Sequence, residues 1–207
     1  MSKLQVAILI SGRGSNMESL ATACAEESFP AAVCVVVSNR PEAEGVEKAA
    51  SFGIDTAIVD HTRFDSKAAF EEALIAVLER HGTELICLAG FMRVLSEGFV
   101  KGFPQQILNI HPSLLPAFPG LHVQRKAIDH GVRYSGCTVH FVVPEVDAGP
   151  IVMQAVVPVE QDDSEDGLAA RILEQEHLIY PEAVKLFAEG RLHIEGRRVH
   201  ISNGEGD

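Results

Sequence analysis

Short apolar runs and longer amphipathic stretches alternate along the first half of the chain. Gln5–Ile10, Ala32–Val37, Thr56–Val59, Leu85–Ala89 and Ile107–Ile110 are apolar or nearly so. Runs of that length without polar alternation fit strands covered on both faces. Between them, residues 16–26, 41–52, 66–81 and 96–102 carry apolar side chains at helical spacing, with Pro41, Ser66 and Ser96 at three of the starts. This alternation predicts an α/β fold with a doubly wound, mostly parallel sheet, Rossmann-like in its N-terminal half. Ligands of such sheets bind beyond the C-terminal ends of the strands, so the loops there are the places to look for chemistry.

The pattern changes in the second half. Tyr134–Val143 and Pro150–Val159 are longer strand-like runs joined by residues 144–149, which predicts an antiparallel hairpin. A long helix follows, opened by Asp163-Ser164-Glu165-Asp166, whose side chains suit an N-cap and a first turn. Pro181 is expected to kink or restart it. Leu192–Glu195 and Arg198–Ile201, around Gly196, predict a last small hairpin, and the tail from Ser202 to Asp207 reads as disordered. The C-terminal portion is therefore expected to be antiparallel, and no domain boundary or repeat stands out.

At 207 residues and 46% hydrophobic, the chain can bury a full core as one domain. A formal charge of −12 argues against a sequence-independent nucleic-acid binder or a membrane-surface protein. Anionic small molecules stay in play, because a local site can oppose the global field. The apolar run Leu4–Ile10 is too short to span a membrane and lacks a signal peptide's cleavage site. Cys24, Cys34, Cys87 and Cys137 are scattered through apolar segments with no CxxC spacing, as expected of reduced, buried thiols in a cytoplasmic protein. There is no HExxH or Cys/His ligand cluster, so no metal is expected.

Three segments carry candidate chemistry. Ser11-Gly12-Arg13-Gly14-Ser15-Asn16 links the first strand to the first helix. Its glycines let the backbone approach an anion, Ser and Asn add donors, and the helix N-terminus adds partial positive charge. The loop lacks the Gly-Lys-Ser/Thr ending of a Walker motif, and Met17 stands where a dinucleotide fingerprint has its third Gly or Ala. It therefore favours a phosphate monoester over ATP or NAD; a plain glycine turn with a capped helix is the alternative. In Asn109-Ile110-His111-Pro112-Ser113-Leu114-Leu115-Pro116, Asn109 and His111 leave the same face of a strand end. Both side chains can donate to one developing oxyanion, and histidine can also move protons. The alternative is a turn-forming Asn and a loop-capping His. Asp147, before Ala148-Gly149-Pro150, is a turn aspartate or the carboxylate of an Asn/His/Asp constellation. A carboxylate there favours the cationic form of an imidazole.

Taken together, these segments resemble the glycinamide ribonucleotide formyltransferases, folate-dependent enzymes of purine synthesis. The likeness runs through residues 10–16, 88–95, 108–116, 119–122, 139–141 and Asp147-x-Gly149-Pro150. It ends with 164–166, Gln175-Glu176-His177 and Tyr180-Pro181, so it covers almost the whole chain in order. The resemblance implies one formyltransferase domain, with residues 1–105 as the phosphate- and nucleotide-binding half and 106–207 as the catalytic and folate-binding half. It implies Asn109, His111 and Asp147 as the catalytic residues, and Gly14, Ser15, Asn16 and Glu176 as ribonucleotide-binding. It implies folate contacts from Lys67, Met92, Arg93, Val94 and Leu95, from Val143, Pro144, Glu145 and Val146, and from Asn109 and Asp147. Phe91-Met92 and Val94-Leu95 offer apolar surface to a flat pterin, and Arg93 suits glutamate carboxylates. Lys67 stands where relatives often have Arg, which keeps the charge and loses the bidentate fork. His140 receives no role.

The implied reaction transfers a formyl group from 10-formyltetrahydrofolate, a co-substrate, to the amine of glycinamide ribonucleotide, without a metal. The implied partners are those two small molecules, with no nucleic acid and no membrane, in a monomer or weak homodimer. Three readings compete. A formyltetrahydrofolate hydrolase generally carries a regulatory domain before this fold, whereas here the fold begins at Leu4. A methionyl-tRNA formyltransferase needs a further C-terminal RNA-binding domain and basic surface, whereas this chain is acidic and ends at 207. A non-catalytic nucleotide or folate sensor could do without Asn109, His111 or Asp147, and all three are present.

Overall fold

The computed structural model describes residues 2–203, so the tail expected to be disordered lies outside the described residues from position 204 on. Ser202, its first residue, is tied down: its N–H donates to the Arg191 carbonyl at 3.0 Å and its own carbonyl accepts from Arg191 Nε at 2.7 Å. The chain forms two compact units, residues 1–108 and 109–207.

In the first unit, β1 (Leu4–Ile10) pairs in parallel with β2 (Ala31–Ser38) and with β4 (Leu85–Leu88), and β2 pairs in parallel with β3 (Thr56–Ile58). Val6–Ile10 and all of β4 are buried, which is why these runs lack polar alternation. Strand β3, expected to be covered on both faces, is instead an edge strand with Thr56 and Ile58 exposed, and only Val59 just beyond it is buried. The intervening helices are α1 (Ser15–Ala25), α2 (Glu44–Ser51), α3 (Lys67–Arg80) and α4 (Glu97–Gly102). Ser66 and Ser96 cap α3 and α4, their hydroxyls accepting the N–H of Ala69 and Phe99 at 3.1 Å. Helix α2 starts three residues later than Pro41 suggests. Residues 40–43 close a turn through Ala43 N–H and the Arg40 carbonyl, and Gly45 N–H goes to the Gly12 carbonyl at 3.0 Å. A 3-10 turn, His61–Arg63, was not legible in the sequence.

The division falls within β5 (Ile107–His111). In the second unit, β6 (Tyr134–Phe141) and β7 (Ile151–Pro158) form the expected antiparallel hairpin, from Tyr134↔Pro158 to His140↔Ile151. The ladder slips one residue between Val139 and His140, a bulge of the kind that re-aims side chains at functional sites. Helix α6 (Glu165–Ala188) packs on both strands, and β8 (Leu192–Glu195) and β9 (Arg198–Ile201) form the last hairpin. Ser164 caps α6 through the Gly167 N–H. Contrary to expectation, α6 is not restarted at Pro181; it runs on through it. Buried Ile179, Tyr180, Ala183 and Val184 hold both flanks, so packing outweighs the lost backbone donor. Helix α5 (Val123–Asp129) fills a stretch to which the sequence assigned no element. The fold is thus α/β, with parallel strands first and antiparallel strands in the C-terminal portion.

Candidate active site

The first unit presents two loops at the C-terminal ends of its strands. In the loop after β1, Gly14 has φ of +74° and stands at the N-cap of α1, followed by half-buried Ser15 and Asn16. Its backbone lies so close to α2 that a Cβ on Gly14 would sit 2.8 Å from Gly45 Cα. Gly45 is equally constrained, since its own Cβ would meet Ile10 Cδ1 at 2.6 Å and the Gly12 carbonyl at 3.1 Å. This paired-glycine contact gives the loop its shape. The sequence showed Gly14 as a loop residue but gave no signal that Gly45 meets it. With no side chain at the N-cap, the start of α1 has the backbone geometry that suits a phosphate.

The loop after β4 exposes Met92, Arg93 and Val94, with Met92 and Val94 each 62% exposed. Leu95 departs from expectation. It is 7% exposed and packs with the core, so it does not add to the exposed apolar surface of this loop. Lys67, at the start of α3, is 3.9 Å from Glu71 Oε1, a separation at which it remains available to other anions.

The second unit assembles the catalytic candidates. Asp147, in the loop between β6 and β7, has a left-handed backbone with φ of +53°, which Asp tolerates better than most residues. Gly149 lets that loop pass beneath the Phe141 carbonyl, where any Cβ would come within 1.7 Å of the oxygen. The Asp147 carboxylate accepts the Gly120 N–H at 2.7 Å through Oδ2. It also faces two imidazoles: His111 Nδ1 lies 3.6 Å from Oδ2 and His140 Nε2 lies 3.9 Å from Oδ1. All three side chains are at least nine-tenths buried. The partner loop residues Val143–Val146 run from half-buried to exposed, with Val146 at 53%.

Hydrogen bonds assign both rings. His111 Nε2 is 3.0 Å from the Phe118 carbonyl, which can only accept, so a proton sits on Nε2 and Nδ1 is turned to Asp147. His140 Nδ1 is 2.9 Å from the Phe141 carbonyl and donates to it, leaving Nε2 to accept from Asn109 Nδ2 at 3.1 Å. That bond fixes which end of the Asn109 amide carries the NH₂. One amide hydrogen is committed to His140 and the second remains for a ligand. Among the residues with site geometry, His140 is the one that sequence reading left without a role; a histidine inside an apolar strand carries no distinguishing signal.

His140 is held in its neutral form. Burial is the main cause, the His111 ring adds to it, and the Phe141 carbonyl and Asp147 oppose it. The unfolded chain protonates this residue near the ordinary 6.5, so below that pH the unfolded state binds more protons than the folded one. Its contribution to stability is therefore complete above 6.5 and is lost as pH falls. Calorimetric melts at pH 7.5 and 5.5 should show a lower midpoint at pH 5.5. In His140→Gln the drop should be smaller; an equal drop in both proteins would remove His140 as its source.

Glu176 is buried on α6, 6% exposed. It faces Cys137, whose thiol is pushed up to about 12 by burial first and by this carboxylate second, so Cys137 is a packing residue rather than a nucleophile. Among the described residues, no group of three His, Cys, Asp or Glu side chains is placed to hold a metal ion, and no helix is long and apolar enough to cross a membrane.

Comparison with known proteins fits this geometry. Phosphoribosylglycinamide formyltransferase of Escherichia coli is 44% identical over 191 residues, 92% of this chain and 90% of that protein. The trifunctional purine biosynthetic protein adenosine-3 of Gallus gallus is 46% identical over 193 residues. Of that longer protein, the chain spans only 19%. The crystal structure of glycinamide ribonucleotide transformylase 1 from Symbiobacterium toebii superposes with a TM-score of 0.95 at 50% identity, covering 97% of this chain and 95% of that one. The formyl transferase family model matches residues 4–184, and the chain belongs to that family.

Proposed function

We propose that this protein transfers the formyl group of 10-formyltetrahydrofolate to the amine of glycinamide ribonucleotide, giving formylglycinamide ribonucleotide and tetrahydrofolate in purine synthesis. The observation that carries the reading is the buried cluster of the second unit, in which one carboxylate faces two histidines and one of these orients an asparagine amide. The amine nitrogen attacks the formyl carbon. A new C–N bond forms, and the carbonyl oxygen takes up the electron pair as an oxyanion. Asn109 Nδ2 and His111 Nδ1, the latter as imidazolium, donate to that oxygen. Collapse of the intermediate breaks the bond to the folate nitrogen. The proton lost by the amine passes by way of Asp147 to that leaving nitrogen, so atoms and charge balance. Prior binding of both substrates supplies much of the remaining acceleration.

Gly14, Ser15 and Asn16 are assigned to the ribonucleotide's phosphate and Glu176 to its ribose. Lys67, Met92–Leu95 and Val143–Asp147 are assigned to the folate; Met92 and Val94 in the first unit and Val146 in the second each offer exposed apolar surface for it. We read the chain as one formyltransferase domain, cytoplasmic, monomeric or a weak homodimer. Its acidic balance supports small-molecule partners without nucleic acid or membrane.

The test is a spectrophotometric assay of folate product from 10-formyltetrahydrofolate, with and without glycinamide ribonucleotide. Turnover that depends on the ribonucleotide is the expected result. Ribonucleotide-independent loss of the formyl group would make the protein a hydrolase, and folded protein with no turnover at all would make it a binding module.

A further inference from the structure

In the first unit, the loops leaving the C-terminal ends of all four parallel strands are joined by one series of hydrogen bonds. Ser11 follows β1, Asn39 follows β2, His61 opens the turn after β3, and Met92 lies in the loop after β4. Met92 N–H donates to Ser11 Oγ at 2.7 Å, and Ser11 Oγ donates to Asn39 Oδ1 at 2.5 Å. The direction is fixed, because a backbone N–H can only donate and the hydroxyl has a single proton to pass on. Asn39 Nδ2 is consequently turned to His61 Nδ1, 3.1 Å away, and that nitrogen is also 2.9 Å from the Asn39 carbonyl oxygen, so either tautomer of the ring makes one hydrogen bond to Asn39. Ser11 and Asn39 are 6% and 2% exposed, so water does not substitute for either partner.

The far end of the Met92–Leu95 loop is pinned as well. Glu71, 6% exposed, accepts Ser96 N–H at 2.7 Å through Oε1 and the Ser96 hydroxyl through Oε2. The loop is therefore anchored at both ends while its central side chains stay exposed. Only one of the two anchors leads to the other candidate substrate loop: Ser11 is the first residue of the segment that continues to Gly14, Ser15 and Asn16.

We propose that Ser11 and Asn39 are positioning residues that couple the two substrate loops, so that ribonucleotide bound at the phosphate loop tightens the Met92–Leu95 loop for folate, and the reverse. This rests on the assignment of those loops to phosphate and folate. A ligand that orders the phosphate loop orders Ser11, and through Met92 N–H it lowers the ordering cost that the second ligand must meet. The effect is reciprocal by linkage.

Isothermal titration with unreactive partners tests it. Glycinamide ribonucleotide is titrated into the whole protein with and without saturating tetrahydrofolate, which carries no formyl group, and the converse titration is run. Each ligand should tighten the other by the same factor, about fivefold or more. Ser11→Ala should bring that factor to within about twofold of unity while both ligands still bind, and Asn39→Ala, which leaves the hydroxyl unanchored, should reduce it. Melting temperatures establish that the variants are folded. A factor of one in the wild type, or an unchanged factor in Ser11→Ala, would overturn the coupling while leaving the substrate assignment standing. Failure of the wild type to bind either ligand would overturn that assignment, and the coupling with it.

Discussion

His111→Ala is expected to lower kcat by about 10³ or more while the Kd for glycinamide ribonucleotide stays within a few-fold of wild type. The imidazole combines two effects: a donor to the developing oxyanion, worth about 10²–10³ in rate, and a group that moves protons, worth about 10²–10⁴. These do not add in full, because both pass through one ring. The substitution should be tolerated by the fold. The Phe118 carbonyl that loses the His111 bond keeps a share of the Ser113 hydroxyl, whose single proton lies between it at 3.1 Å and the Ala117 carbonyl at 2.7 Å, so a small drop in melting temperature is expected. Phosphate binding is assigned to the loop at Gly14–Asn16, which the substitution does not touch. Steady-state kinetics paired with ribonucleotide titration separate the two quantities. A kcat within tenfold of wild type would end the assignment of His111 as the principal donor.

The elements legible in the sequence were those whose cause is local. Unbroken apolar runs marked the parallel strands, though the same signal wrongly implied burial for β3, whose Ile58 is 48% exposed at the sheet edge. Ser66, Ser96 and Ser164 marked helix starts because a side-chain oxygen three residues before a free N–H is a local device. Where distant packing decides, the local signal misled. Pro181 looks like a breaker, but buried neighbours on both sides keep α6 continuous. Helix α5 was hidden behind the glycine and proline of the preceding loop: it opens at His122 in a left-handed conformation without a side-chain cap, and it buries only Val123 and Ala127.

The site divides in the same way. Asn109 and His111 share a strand end and could be read together, whereas Asp147 could be joined to them only by family resemblance, since their proximity comes from a loop closing across 36 positions. His140 and Gly45 had no such route. One looks like any strand histidine until its ring nitrogens find Asn109 and Phe141, and the other looks like a helical glycine until it meets Gly14. The Ser11–Asn39 series is likewise silent in the sequence, because its partners are 28 and 81 residues apart. Long-range polar contacts leave no periodicity to detect.

Asp147→Asn isolates the charge at the centre of the cluster. Asparagine has nearly the same shape, tolerates the left-handed backbone at φ of +53°, and its carbonyl oxygen can still accept the Gly120 N–H now bonded to Oδ2 at 2.7 Å. What disappears is the negative charge facing His111 and His140. Without it the His111 ring no longer faces a carboxylate, and the amine proton loses its carrier. We expect kcat to fall by about 10²–10⁴, with the melting temperature at pH 7.5 close to wild type and both substrates still bound. Asp147→Ala should combine that loss with a lower melting temperature, because it removes the acceptor of Gly120 and places alanine in a backbone conformation it resists. The comparison between the two variants carries the argument: equal kcat in Asn and Ala with unequal stability assigns the catalytic effect to the charge. If Asp147→Asn turned over within threefold of wild type, Asp147 would be a residue that shapes the loop, and proton transfer would have to be assigned elsewhere.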